Sequence, residues 1–154
     1  FDDPAEVLRW ANQAMVDDGG TDRFVTVAQC HLDTATRRLH VALAGHPGPL
    51  LIPADGGPPT EIGRFGTALG IVDAPLLNTV EVQLRTGDQL LLYTDGLVEN
   101  SIQRLDAVAL GELVESARQD SADGTAGHVL DGFHRLELRP SRDDLAIVAV
   151  RMCP

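Results

Sequence analysis

Apolar positions along the chain recur with two different periods, and each change of period marks an element. Over residues 4–16, Val7, Leu8, Ala11, Met15 and Val16 fall near one face at helical spacing, with Pro4 suited to a first turn. An amphipathic helix is expected there, ended by Asp17, Asp18, Gly19 and Gly20. Residues 24–32 are rich in β-branched side chains and read as a first strand. After a polar connection over residues 33–38, Leu39, Val41 and Leu43 alternate with His40, Ala42 and Ala44, the two-residue period of a half-buried antiparallel strand. Gly45, His46, Pro47 and Gly48 interrupt the pattern before an apolar run over residues 49–52.

Residues 53–59, PADGGPP, form a turn by composition. Three glycines within residues 63–70 allow a loop to lie close against another backbone. Val80, Val82 and Leu84 then alternate with Thr79, Glu81, Gln83 and Arg85 as a strand, and Thr86, Gly87 and Asp88 turn the chain into Leu90, Leu91, Leu92 and Tyr93. Past Asn100 the spacing of Leu105, Val108, Leu110, Leu113, Val114 and Ala117 predicts a helix ending near Gln119. A second helix is expected over residues 125–136, with Thr125 as its N-cap and Val129, Leu130 and Phe133 together on one face. Residues 145–150, LAIVAV, close the series as a strand. The unbroken apolar character of residues 90–93 and 145–150 predicts that both strands are covered on both faces and are central. Strands, two helices and a last strand suggest an α+β domain of antiparallel sheets covered by helices.

A length of 154 residues, 44% of them hydrophobic, suits one compact domain over residues 1–154. The net charge of -11 would repel phosphate backbones and anionic lipid, so nucleic acid is not expected as a partner. Cys30 and Cys153 fit no thiolate metal or redox spacing and read as small buried apolar residues in a reduced compartment. No stretch has the length and apolarity to insert in a bilayer, and residues 1–10 lack the regions of a signal peptide, so a cytoplasmic location is expected. The abrupt helical start suggests a missing upstream portion.

The chemistry concentrates at the ends of the two apolar strands. Asp95 follows one and Asp143 precedes the other, so antiparallel neighbours would bring both carboxylates to one edge. At a strand spacing of about 4.8 Å they would repel by roughly 3 kcal/mol, which calls for a cation between them. Thr94, Asp95, Glu99, Asp143 and Asp144 are oxygen donors, and with only five histidines in the chain they favour magnesium or manganese over zinc. The plainer alternatives stay open: Asp-Gly is a common turn, Asp-Asp a common cap, and His46 between glycine and proline a common turn or packing residue. There is no nucleophile elbow, phosphate loop or Cys–His pair.

Four blocks, ALAGHPGPLL, GTALGI, GDQLLLYTDGLVE and SRDDLAIVAV, together resemble the sporulation-stage-II-E branch of the metal-dependent protein phosphatases, relatives of protein phosphatase 2C. The resemblance implies an antiparallel β-sandwich flanked by helices. It implies hydrolysis of phosphoserine or phosphothreonine by a water held on two manganese or magnesium ions. The substrate implied is a phosphorylated anti-sigma-factor antagonist of the STAS type, with sensor or anti-sigma kinase domains as possible flanking modules. Asp95 and Asp143 would be catalytic metal ligands, Gly96 would permit the turn, Asp144 and Glu99 would support the site, and Gly45 and His46 would lie near it. Two departures accompany the likeness. The family's first acidic blocks are absent, and Ala146 stands where relatives often have threonine. The first departure implies about half of a two-metal site and weak activity for this stretch alone, or else a catalytically silent module that binds a partner in a sigma-factor switch.

Overall fold

A computed structural model of the chain describes residues 3–18, 23–99, 107–116, 118–136 and 144–153. The elements, in order, are α1 (Pro4–Asp17), β1 (Val27–Asp33), β2 (Arg38–Ala44), β3 (Leu50–Ile52), β4 (Thr60–Glu61), β5 (Thr79–Gln83), β6 (Gln89–Tyr93), α2 (Gly96–Glu99), α3 (Ala107–Ser116), α4 (Ala122–Leu136) and β7 (Ile147–Arg151). They fall into two compact units. The first comprises Phe1–Gly48 and Ile62–Leu84, the second Pro49–Glu61 and Arg85–Pro154.

In the first unit an antiparallel sheet of order β1-β2-β5 carries α1. Asp3 caps the helix by accepting a hydrogen bond from the Ala5 N–H at 2.9 Å, and Pro4 occupies the first turn as expected. The buried stripe is Ala5, Leu8 and Asn12 rather than the one centred on Ala11, which is exposed. The shift has a polar cause. Asn12 is 1% exposed because its Oδ1 accepts from the Gly70 N–H and its Nδ2 donates to the Val72 carbonyl, tying the glycine-bearing loop to the helix. Leu8, Ala42, Ala44, Leu69 and Leu77 complete this core. Strand β2 is therefore buried on both faces beyond Val41, not half-buried throughout, because its small alanines sit under α1. The first strand begins three residues later than the sequence suggests, with Val25 making only an isolated bridge to Leu69.

Asp3 also accepts a hydrogen bond from the Thr79 hydroxyl of β5. That bond, with the Ala5 N–H and the charge of Arg9, holds the Asp3 carboxyl below the ordinary aspartate value of 3.8. A carboxyl whose pKa is depressed on folding contributes stability that is present above 3.8 and is lost as pH falls through the lower folded value. Asp3→Asn should consequently flatten the fall in stability below pH 3.8, measured by urea unfolding across the acid range.

In the second unit the sheet order is β4-β3-β6-β7, all antiparallel. Strand β6 is interior, as its apolar run predicts, and Leu91 and Tyr93 pack with Leu50, Ile52, Leu97, Leu110, Val114, Val129 and Phe133. Each fully buried leucine of this cluster contributes about 2 kcal/mol. Burial pushes the Tyr93 phenol up to about 12, with the Glu61 charge adding to it.

Strand β7 overturns the expectation of a second central strand. Among the described residues it pairs only with β6, at the edge of the sheet; Ile147 and Ala149 turn toward the core, whereas Val148 is 56% and Val150 36% exposed. Apolar letters on both faces do not report how many neighbours a strand finds. The turn before β6 also leads from one sheet to the other rather than closing a hairpin, since β5 pairs with β2 and β6 with β3 and β7.

Helix α4 starts at Ala122, so Thr125 lies inside it and is fully buried, its Oγ1 accepting from the Gln119 N–H. The Ser121 hydroxyl takes the capping part, accepting from the Gly124 N–H at 3.0 Å. Leu130 is 37% exposed and does not share the face of Val129 and Phe133. Helix α3 ends at Ser116, before the expected Gln119. Cys30 is half-buried and its thiol is pushed up to about 11 by burial, but Cys153, just past β7, is exposed rather than buried. No helix among the described residues is long and apolar enough to cross a membrane.

Candidate active site

Strand β6 delivers Thr94 and Asp95 to the end of an interior strand, and β7 meets them there. Tyr93 stands opposite Ile147, and the Thr94 N–H donates to the Ala146 carbonyl at 3.0 Å, carrying the pairing one residue beyond both strands. The Thr94 hydroxyl then closes the junction: it donates to the Asp144 carbonyl and accepts from the Ala146 N–H, each at 2.9 Å. Both hydrogen-bonding roles of this hydroxyl are thus engaged with the backbone. Thr94, counted among the oxygen donors on sequence grounds, acts as a clamp that fixes the acidic segment before β7 against the one after β6. Its role depends on the register of two strands some fifty residues apart, which no local pattern announces.

The condition on which the acidic pair rests, antiparallel pairing of the two apolar strands, is met by β6 and β7. Asp95 and Asp144 flank the clamp, with Asp144 exposed. Asp143 lies outside the described residues. Gly96 is buried and opens the short helix α2, with its φ outside the left-handed region. Leu97, fully buried, anchors that helix in the core. Glu99 is the last residue of α2, and its side chain lies outside what the structure describes.

Four other aspartates, Asp3 among them, show what the plain reading of an acidic residue looks like. Asp33 accepts from the Ala35 and Thr36 N–H groups, and Asp55 from that of Gly57. Asp88, only 5% exposed, accepts from the Ala54 and Arg85 N–H groups at 2.9 and 2.7 Å. These side chains, like Asp3, hold turns and helix ends together. Asp95 differs from these four in making no side-chain hydrogen bond or ion pair among the described residues, and from the likewise unpartnered Asp73, Asp123 and Asp131 in being half-buried where they are exposed. A carboxylate fixed at a strand end is a hard oxygen donor of the kind magnesium and manganese take. Among the described residues no group of three or more His, Cys, Asp or Glu is gathered to hold a metal.

Gly45 and His46 belong to the other unit. Gly45 has φ +68°, and a Cβ there would stand 2.8 Å from that of Ala68, so both its conformation and its surroundings require glycine. His46 is half-buried with its Nδ1 3.2 Å from the Thr26 hydroxyl.

Replacing Thr94 by valine keeps the shape and removes both clamp bonds. Thr94→Val should lower stability by about 1 kcal/mol in urea unfolding. Thr94→Ser, which retains the hydroxyl, should restore most of that loss.

Comparison with known proteins bears on the fold and the family. Residues 2–152 match the family described as Stage II sporulation protein E (SpoIIE). The phosphoserine phosphatase RsbU of Bacillus subtilis (strain 168) is 21% identical over 150 residues, covering 96% of this chain and 45% of its own length. The chain therefore spans about half of that relative. The RsbU and RsbW domains of Rv1364c from Mycobacterium tuberculosis superpose with a TM-score of 0.78 at 26% identity, over 97% of this chain and 42% of that one. The manganese-presoaked phosphatase domain of SpoIIE from Bacillus subtilis gives a TM-score of 0.74 at 16% identity, over 97% of this chain and 66% of that one. The α+β fold of antiparallel sheets and helices is that of protein phosphatase 2C-like domains. With the family match running through both units and through the Thr94–Asp95 junction, the chain belongs to the SpoIIE family.

Proposed function

We propose that the protein carrying this chain is a manganese- or magnesium-dependent phosphatase that removes phosphate from serine or threonine of a regulatory protein, within a sigma-factor partner switch. The observation that carries the reading is Asp95: an aspartate in the turn between an interior strand and α2, next to the Thr94 clamp, whose carboxylate makes no hydrogen bond or ion pair among the described residues. Support comes from the RsbU relative, which is a phosphoserine phosphatase, and from the SpoIIE domain presoaked with manganese. Asp95 and Asp143 are the metal ligands in this reading, with Asp144, Glu99 and Gly96 supporting them. Bound divalent cations would supply an acidified water and neutralise the phosphoryl oxygens. The chain's own part is to hold Asp95 still, through Leu97 in the core and Thr94 on β7, so that ligand geometry is set before substrate arrives. The two units work as parts of one phosphatase domain, as the single family match across them suggests. The substrate is a phosphorylated anti-sigma-factor antagonist of the STAS type, met in the cytoplasm.

The test is phosphate release by the full-length protein from a phosphoserine-bearing antagonist protein. Release should require manganese or magnesium and stop with chelator. Release that persists undiminished in chelator would overturn the metal-dependent reading, and metal binding with no release from any phosphoprotein would favour a silent binding module.

A further inference from the structure

The three strands of the first unit place two imidazoles and a carboxylate side by side. In the β1–β2 ladder His31 stands opposite His40, and in the β2–β5 ladder His40 stands opposite Glu81. Directly opposed residues of antiparallel strands share a face, so the row His31, His40, Glu81 runs straight across the sheet. The side chains meet there. The two imidazole rings lie edge to face with their centres 6.2 Å apart, and His40 Nε2 is 3.1 Å from Glu81 Oε2. His31 and Glu81 are exposed and His40 is half-buried, so solvent reaches the row. No spacing along the chain links these three residues; the register of the sheet does.

We propose that this row binds a zinc ion, with one ligand from each strand and a water completing the tetrahedron. Two imidazoles and a carboxylate are a donor set that zinc takes, whereas magnesium and manganese are suited by oxygen donors alone. The distances are close to those required. Two ligand atoms on a tetrahedral zinc lie about 3.4 Å apart, against 3.1 Å for His40 Nε2 and Glu81 Oε2. Two imidazole rings on one such ion have centres about 5 Å apart, against the 6.2 Å found here. As they stand the three groups do not converge, and no metal-binding group of three is gathered among the described residues. Closing the row takes a shift of about 1 Å in the exposed ring of His31, within reach of a small rotation about its side-chain torsions. Asp3 lies within electrostatic reach of His40, and Asp33 of His31, so three carboxylates with Glu81 surround the row. Against them stand Arg9, whose charge reaches Asp3, and Arg38, 3.8 Å from Glu81 Oε1. Both partners of the Arg38–Glu81 pair are more than half exposed, so it contributes little and yields Glu81 readily. A zinc held in this way would tie β1, β2 and β5 together under α1. The site is independent of the metal-dependent reading above.

The test titrates zinc chloride into isotope-labelled full-length protein in excess magnesium, while the ring resonances of His31 and His40 are followed by NMR. Both rings should respond together along one saturable curve. Followed through His40, His31→Gln should weaken the binding at least about tenfold, and Glu81→Gln should weaken it in the same direction. Magnesium alone should move neither ring. Zinc that moves only one of the two histidines in the native protein, or that binds the His31→Gln protein as tightly as the native one, is an adventitious ion only and overturns the proposal. The absence of a saturable response at either ring overturns it as well, whether or not the variants fold.

Discussion

Asp95→Asn should lower kcat/KM for manganese-dependent hydrolysis of an aryl phosphate by at least about 100-fold, while shifting unfolding stability by no more than about 0.5 kcal/mol. The two halves of this expectation come from one fact. Among the described residues the Asp95 carboxylate makes no hydrogen bond or ion pair, so an amide of the same shape leaves α2, the Thr94 clamp and the Leu97 anchor in place. What it does remove is the charge, and an amide oxygen is a far poorer partner for a divalent cation than a carboxylate. The contrast with Asp88 is informative, because there the two carboxylate oxygens accept from two backbone N–H groups and a change would be felt in stability. Steady-state kinetics of the full-length protein and urea unfolding of the same preparation measure both quantities. Equal rates in the native and Asp95→Asn proteins would remove Asp95 from the site. A large stability loss with unchanged metal affinity would make it a fold residue.

How much of this was legible in the letters depends on whether the determining interaction is local. Helix α1, with Pro4 at its start, and the alternating strands β2 and β5 follow from periods and turn preferences that act within a few residues; the Asp3 cap was seen only in the structure. The interior place of β6 was legible for the same reason. Residues 145–150 carry an equally apolar run, yet β7 lies at the edge with Val148 and Val150 outward, because strand order is decided by distant partners. Asn12 was illegible as a core residue, since its burial depends on the Gly70 and Val72 backbone arriving to satisfy it. Asp95 could be singled out as a candidate, but its separation from the capping aspartates required the hydrogen bonds of Asp3, Asp33, Asp55 and Asp88. The Thr94 clamp needed the β6–β7 register. The family, by contrast, was carried by four blocks whose order along the chain is itself sequence information.

Gly66→Ala should destabilise the protein by about 3 kcal/mol, the largest effect expected of so small a substitution. The sequence anticipated that glycines in residues 63–70 bring a loop close to another backbone, and Gly66 is where this happens. A Cβ there would stand 1.9 Å from the Leu43 carbonyl oxygen and 2.9 Å from that of Leu76, both backbone atoms that no side-chain rotation can move away. Relief requires the loop to shift, and the loop is held on both sides. The Gly66 carbonyl accepts from the Gly45 N–H at 2.8 Å, and the Thr67 N–H donates to the Leu76 carbonyl at 2.9 Å. Separating these strands of chain would also disturb Gly45, the residue before His46, whose own left-handed φ leaves it little freedom to follow. Gly111 is the control. It lies in α3 with nothing within 4 Å of an added Cβ, so Gly111→Ala should stabilise by about 0.5–1 kcal/mol through helix propensity and a less disordered unfolded chain. Urea unfolding of the two variants side by side tests the argument by sign as well as size. A Gly66→Ala protein as stable as the native one would show that the approach of loop and strand is not as close as described.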